Sequence, residues 1–206
     1  MKGLLKKDLY MTWAYSKIFL LMSLIFVAVS VLSQASLFFI FYPLLMAGIL
    51  PVSLLSYDER FRWNVYCDAT PLTRRQQVTE KYLLTLLYSV GMLLLLALIH
   101  GIRLISQGQT GEFLEMLSFM VILALVSPAL MLPLLFRLGP ERGRLAYFGL
   151  FAVLLLFVTM LTGKSMADIP ATSGPLGFLL ATLAVSVLLF LGSWWLSMRW
   201  YDKREF

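Results

Sequence analysis

The chain is 206 residues long and 60% hydrophobic, with a mean hydropathy of +0.85, and only 14% of its residues are charged. Ordinary soluble domains carry about 25% charged residues, so this composition excludes a water-soluble enzyme and points to a polytopic membrane protein. The net charge of +6 reads as membrane topology with some attraction to anionic lipid, and not as a nucleic-acid footprint, because of where the cations fall.

Six apolar runs follow one another along the chain: Ile18 to Ser33, Leu37 to Leu55, Tyr82 to His100, Phe113 to Leu135, Leu145 to Thr162 and Leu176 to Met198. About 20 apolar residues cross a hydrocarbon core of about 30 Å, so the pattern predicts an all-α membrane protein with six transmembrane helices. If both termini are cytoplasmic, the inner segments hold Lys2, Lys6, Lys7, Lys17, Arg60, Arg62, Arg74, Arg75, Lys81, Arg137, Arg142, Arg144, Arg199, Lys203 and Arg204. Only Arg103 and Lys164 remain outside. That asymmetry is a positive-inside signal and sets the expected orientation. Ser33 and Ala35 stand at the spacing of a signal-peptide cleavage site. The basic, aromatic lead-in before Ile18 is long for such a peptide, however, and the next span follows at once, so the segment is expected to stay.

Within the spans the second run contains Pro43 and Pro51, and the fourth contains Pro128 and Pro133; prolines there kink helices and free backbone carbonyls. Phe38, Phe39, Phe41, Met46, Met116, Phe119 and Met120 make a soft apolar interior that suits an apolar or amphipathic cargo, although residues of this kind mostly pack helices or face lipid. Trp13, Tyr15, Tyr82, Trp194, Trp195, Trp200 and Tyr201 lie near span ends and read as interfacial anchors. On these boundaries no Asp, Glu, Lys or Arg falls mid-membrane. Proton-coupled carriers and pumps place ionisable groups there, so uphill transport by this chain would draw its energy from elsewhere.

Catalytic and metal sites are not expected. The lone Cys67 has no disulfide or ligand partner and reads as a packing residue, and His100 stands alone as a hydrogen-bonded imidazole. Gly163-Lys164-Ser165 imitates the tail of a phosphate-binding loop, but Val158 stands where the pattern needs Gly. Glu112 and Glu115 sit at the expected outer mouth of the fourth span, where they either meet a cationic cargo or are simply hydrated.

The passage from Ser56 to Tyr82 departs from this apolar pattern. Asp58 to Ala69 is expected to form about three helical turns, with Tyr57, Phe61, Val65 and Ala69 on one face and Trp63 and Tyr66 on roughly the other. Two apolar faces point to a helix held between two neighbours. Thr70-Pro71 breaks it, and Thr73 with Gln76 predicts a capping box that starts a second helix through Lys81 and Tyr82 into the third span.

These residues carry a resemblance. Tyr57-Asp58-Glu59, Trp63, Pro71-Leu72-Thr73-Arg74, Val78 and Lys81-Tyr82 resemble the first cytoplasmic loop of small ABC transporter permeases of the ABC-2, or type-2 exporter, group. The opening Met1-Lys2-Gly3-Leu4-Leu5-Lys6-Lys7-Asp8-Leu9-Tyr10 is similar to that family's N-terminus. The resemblance covers essentially the whole chain in length, span count and topology, and implies one permease domain over residues 1–206.

Within that domain it implies a membrane-surface elbow helix over 1–17, a cytoplasmic coupling loop over 57–81 and an outer loop over 163–177. In the elbow, Leu5, Leu9 and Trp13 share a face while Lys6 and Lys7 meet headgroups. In the loop, Asp58, Glu59, Arg60, Phe61, Arg62, Trp63, Val65 and Tyr66 form a coupling helix that docks on a cytoplasmic ATPase subunit, and Pro71, Thr73, Arg74 and Lys81 make the turn and re-entry. ATP and Mg would belong to that ATPase, and a second permease subunit would complete a dimer. Larger relatives carry outer domains before the last span; Pro170, Gly174 and Pro175 here leave room only for a short segment. Relatives of this size include exporters of membrane-active peptides, and the wider group exports lipids, glycans and drugs. The residues also allow a non-transporting scaffold or sensor that binds a cytoplasmic partner through the same loop.

Overall fold

The computed structural model describes residues 2–15, 17–32, 37–68, 73–143, 145–146, 148–149 and 175–202. Over these the chain is helical: α1 (Lys2–Tyr15), α2 (Lys17–Leu32), α3 (Leu37–Arg60), α4 (Trp63–Asp68), α5 (Arg74–Ser106), α6 (Thr110–Leu138) and α7 (Pro175–Asp202). The apolar runs lie inside these helices because a backbone in hydrocarbon must satisfy its own hydrogen bonds.

The expected count of six spans is corrected. Among the described residues three helices are long and apolar enough to cross a membrane, Arg74–Ser106, Thr110–Leu138 and Leu176–Tyr201. A fourth is added if the bent pair Gly3–Ala14 and Lys17–Ser30, which turns by 69°, counts as one span. The first run forms only the 16 residues of α2, short of the usual crossing length. The second lies within the 24 residues of α3, and the fifth, Leu145 to Thr162, falls mostly outside the described residues, as does the outer loop.

The packed core has two layers. At one end Val52, Leu55, Val78, Tyr82, Met131, Leu135, Phe136 and Tyr201 come together from α3, α5, α6 and α7. Towards the other end Val27, Leu44, Leu96, Met120 and Ala124 join α2, α3, α5 and α6. Gly48 permits the close approach of α3 to α6, since a Cβ there would stand 3.1 Å from Ser127 Oγ and 3.7 Å from the Pro128 ring. Pro128 and Pro133 are buried inside α6.

Outward faces are apolar, as a lipid-facing surface requires: Leu87, Leu94, Leu98 and Ile102 on α5, and Leu176, Leu180 and Leu188 on α7, are exposed. The inward stripes are comparatively polar. Gln77, Lys81, Thr85 and Ser89, four residues apart on α5, are all buried, as are Ser193, Ser197 and Tyr201 on α7. Tyr82 and Tyr201, expected at the membrane interface, instead lie inside the bundle at 3% and 2% exposure.

Candidate functional site

Helix α3 continues past the expected end of its span to Arg60. There the chain turns at Phe61 and Arg62, with Arg62 in the left-handed region at φ 51°, and restarts as the six-residue α4. The single helix expected over Asp58 to Ala69 is therefore corrected to two pieces. Tyr57 and Phe61 do not continue as one helical face into α4, because one left-handed residue ends the α-helical ladder and redirects the chain; Ala69 and the Val65 side chain lie outside the described residues. Phe61 Cα still follows Tyr57 closely enough for the rings to stack at 6.5 Å, and Trp63 and Tyr66 meet at 5.3 Å on α4.

The re-entry helix begins as its sequence predicts. The Thr73 hydroxyl accepts from the Gln76 backbone N–H, and Gln76 Oε1 accepts from the Thr73 N–H, completing a capping box. From this cap α5 runs unbroken for 33 residues, about 50 Å at 1.5 Å per residue. The helix is thus longer than the hydrocarbon thickness, and its first two turns form a wall beside the end of α3.

Between that wall, the end of α3 and α1 lies a buried cluster of charge. Lys81 Nζ donates to Asp58 Oδ2 at 2.6 Å and to Asp8 Oδ2. Lys7 Nζ donates to Asp58 Oδ1 at 2.8 Å and stands 2.9 Å from Asp8 Oδ1. Asp8, Asp58, Glu80 and Lys81 are all at most 5% exposed. Three separate helices therefore meet through four interlocked charges, and removing one partner of such a set strands the others without compensation. Lys7 also lies over the Trp63 ring, 4.2 Å from its centroid, which ties α4 to the cluster by a cation–π contact.

The elbow residues divide accordingly. Leu4, Asp8 and Thr12 form the buried stripe of α1, four residues apart on one face. Leu9 and Trp13 are exposed on the outer side, Lys6 is exposed and Leu5 is half-buried. Lys7 turns inward to carboxylate and indole, where headgroup contact had been expected of it.

The loop residues divide in the same way. Arg60, Phe61, Arg62 and Tyr66 are exposed, Glu59 and Trp63 are half-buried, and Asp58 and Lys81 are buried. Arg74 is half-buried in the first turn of α5. Pro71 and the side chain of Val65 fall outside the described residues. Beside the turn a groove of about 490 Å³ runs between Ser56, Glu59 and Arg60 on one side and Leu138, Gly139, Pro140, Glu141 and Arg142 on the other. Its far wall is held by the helical stretch at 140–143. Gly143 packs so tightly on α6 that a Cβ would come within 2.9 Å of Leu135 Cα.

A second polar seam anchors α7 to this end of the bundle. The Tyr82 hydroxyl is 2.7 Å from both Ser193 Oγ and Ser197 Oγ, and Ser193 Oγ donates to the Ala129 carbonyl at 2.5 Å. Tyr201 donates to Gln77 Oε1 at 3.1 Å, and Trp194 Nε1 to Thr79 Oγ1 at 3.3 Å. At the other end of the bundle His100 Nε2 lies 3.2 Å from Ser30 Oγ, joining α5 to α2 as a hydrogen-bonded imidazole. Cys67 is buried. Among the described residues no group of three or more His, Cys, Asp or Glu is arranged to hold a metal ion.

Sequence reasoning missed Asp8, Gln77, Glu80 and Tyr201. It placed Asp8, Asp58, Glu80 and Lys81 in loops or tails outside the spans and did not foresee that they are buried. A signal was present in the polar stripe Gln77, Lys81, Thr85, Ser89, because on a helix with apolar flanks the polar side is the one that turns to protein.

No curated protein and no solved structure gives a significant match to the chain. A family model described as ABC-2 family transporter protein matches residues 3–202. That match runs from α1, through the charge cluster, to the end of α7, and with it the chain belongs to the ABC-2 family of transporter membrane proteins.

Proposed function

We propose that the chain is the permease subunit of an ATP-driven exporter in the cell membrane, working with a separate cytoplasmic ATPase subunit and a second permease subunit. Both termini and the α3–α4 turn face the cytoplasm. The ATPase binds ATP and Mg and docks on Arg60, Phe61, Arg62 and Tyr66. Its movement reaches the membrane through Asp58, Lys81 and Asp8. The cargo is amphipathic or hydrophobic, with a membrane-active peptide as the leading class.

One observation carries this reading: an exposed aromatic and cationic turn sits directly on a buried ion cluster that joins α1, α3 and α5. A docking surface needs accessible anchor residues, for which Phe, Tyr and Arg are favoured. A lever needs a stiff connection from that surface to the moving helices, and the cluster supplies one. Asp58 and Lys81 therefore serve as the connection, while the exposed residues make the contact.

The test is a pull-down from solubilised membranes through a tag on Phe206, with an ATPase assay on the eluate. A stoichiometric ATPase that is lost on Phe61→Asp is the expected result. Elution without any ATPase would favour a scaffold. An ATPase that is retained despite Phe61→Asp would move the docking surface away from the turn.

A further inference from the structure

The charge cluster does not balance. Asp8 and Lys7 on α1, Asp58 on α3, and Glu80 and Lys81 on α5 amount to three carboxyl groups against two ammonium groups. Lys81 donates to both Asp8 and Asp58, whereas Lys7 donates to Asp58 and only forms an ion pair with Asp8 Oδ1, which has no hydrogen-bond partner. Glu80 is 2% exposed, and its Oε1 has no hydrogen-bond partner. Asp8 Oδ1 is likewise a buried oxygen without a hydrogen-bond partner, and electrostatically the Asp8 and Glu80 carboxyl groups act on each other as a pair. Two buried carboxylates so paired cannot both stay ionised, and such pairs resolve the conflict by holding one proton between them.

A second, independent feature points to the same place. A cavity of about 10 Å³ is lined by Gln77, Glu80, Lys81, Asp58, Trp63 and Tyr201. Gln77 Nε2, on a residue 7% exposed, is a buried donor without a partner, while the Oε1 of the same side chain is taken by Tyr201. The cavity thus offers one unpaired donor and one unpaired acceptor, in a space about the size of one water.

We infer that Asp8 and Glu80 form a buried proton-binding site, in which the two carboxyl groups share one proton and a single water links Glu80 Oε1 to Gln77 Nε2. The proton enters from solvent and forms an O–H bond on one carboxyl, which donates to an oxygen of the other. With it the cluster is neutral. The water accepts from Gln77 and donates to Glu80. Among the described residues the remaining groups around Glu80 are Lys81 on its own helix, Lys7 on α1, Asp58 on α3, the Trp63 indole on α4 and the Tyr201 phenol on α7, so Asp8 is the carboxyl available to share its proton. Drawing α1 away from α5 separates the pair, hydrates both carboxyl groups and returns the proton to solvent. Elbow-helix movement is thereby linked to one proton, whatever the chain docks.

Infrared spectroscopy on the purified full chain at neutral pH tests this directly. Free Asp and Glu side chains are ionised there, so a protonated-carboxyl carbonyl band reports a held proton. The expected result is a band equivalent to one group, abolished by Glu80→Gln and equally by Asp8→Asn, with circular dichroism unchanged. Either amide removes the like-charge pair and leaves two carboxylates facing two ammonium groups. Absence of the band in the unsubstituted chain overturns the site, as does a band that survives Glu80→Gln. A band lost with Glu80→Gln but kept with Asp8→Asn overturns the sharing.

Discussion

Asp58 and Phe61 stand three residues apart, in one charged and aromatic stretch, yet they belong to different kinds of environment. Asp58 is 3% exposed and bonded to two lysines from two other helices, whereas Phe61 is 64% exposed. The helical ladder of α3 makes the difference. Asp58 is still on it and turns its side chain towards α1 and α5, while Phe61 and Arg62 lie where the ladder ends and the left-handed Arg62 swings the chain outward. The contrast teaches that the loop is not uniform: its buried end is a clamp, and its exposed end is the part proposed to dock.

Four substitutions would break or sharpen that contrast. Lys81→Met has the largest expected effect, because it removes the more deeply buried of the two cations that Asp8 and Asp58 share and leaves Lys7 alone against them; a loss of about 3–5 kcal/mol is expected. Thermal unfolding of the solubilised protein reads it, and adding Asp58→Asn should recover part of the loss. Tyr82→Phe removes a buried hydroxyl that meets Ser193 and Ser197, and should lower stability in the same assay by about 1.5 kcal/mol. Thr73→Ala deletes the cap of α5 and is expected to cost about 1 kcal/mol, read as faster hydrogen exchange confined to the first turns of that helix.

Phe61→Asp should have the smallest effect on stability, within about 0.5 kcal/mol for an exposed side chain. It should nonetheless abolish capture of the ATPase. A large loss of stability in this variant would show the turn to be part of the clamp, and the division between the two regions would fail.

Much of this was legible in the linear chain. Hydropathy runs longer than a soluble helix core announce a membrane protein, and the helices α5, α6 and α7 sit where those runs place them. The Thr73 and Gln76 pair announced the start of α5 because capping is a local interaction within one helical turn. The isolation of His100 was likewise visible in sequence, and its Ser30 partner is the kind of ordinary hydrogen bond that such isolation implies.

Tertiary structure alone decided which charges are buried. Lys81 is separated from Asp8 by 73 residues and from Asp58 by 23 along the chain, and each looks like a loop or interface charge among its neighbours. Their convergence depends on α1 folding back across the beginning of α5 and the end of α3. No local preference encodes such a long-range contact. Apolar patterning also misled at this end of the molecule, because Tyr82 and Tyr201 resemble interfacial anchors until α5 and α7 pack against α6 and enclose them. Composition and periodicity set which segments are helices and that they belong in a membrane, since transfer of apolar surface and backbone hydrogen bonding act segment by segment. Helix packing chose which face of each segment turns inward, and so which side chains became a clamp and which remained exposed.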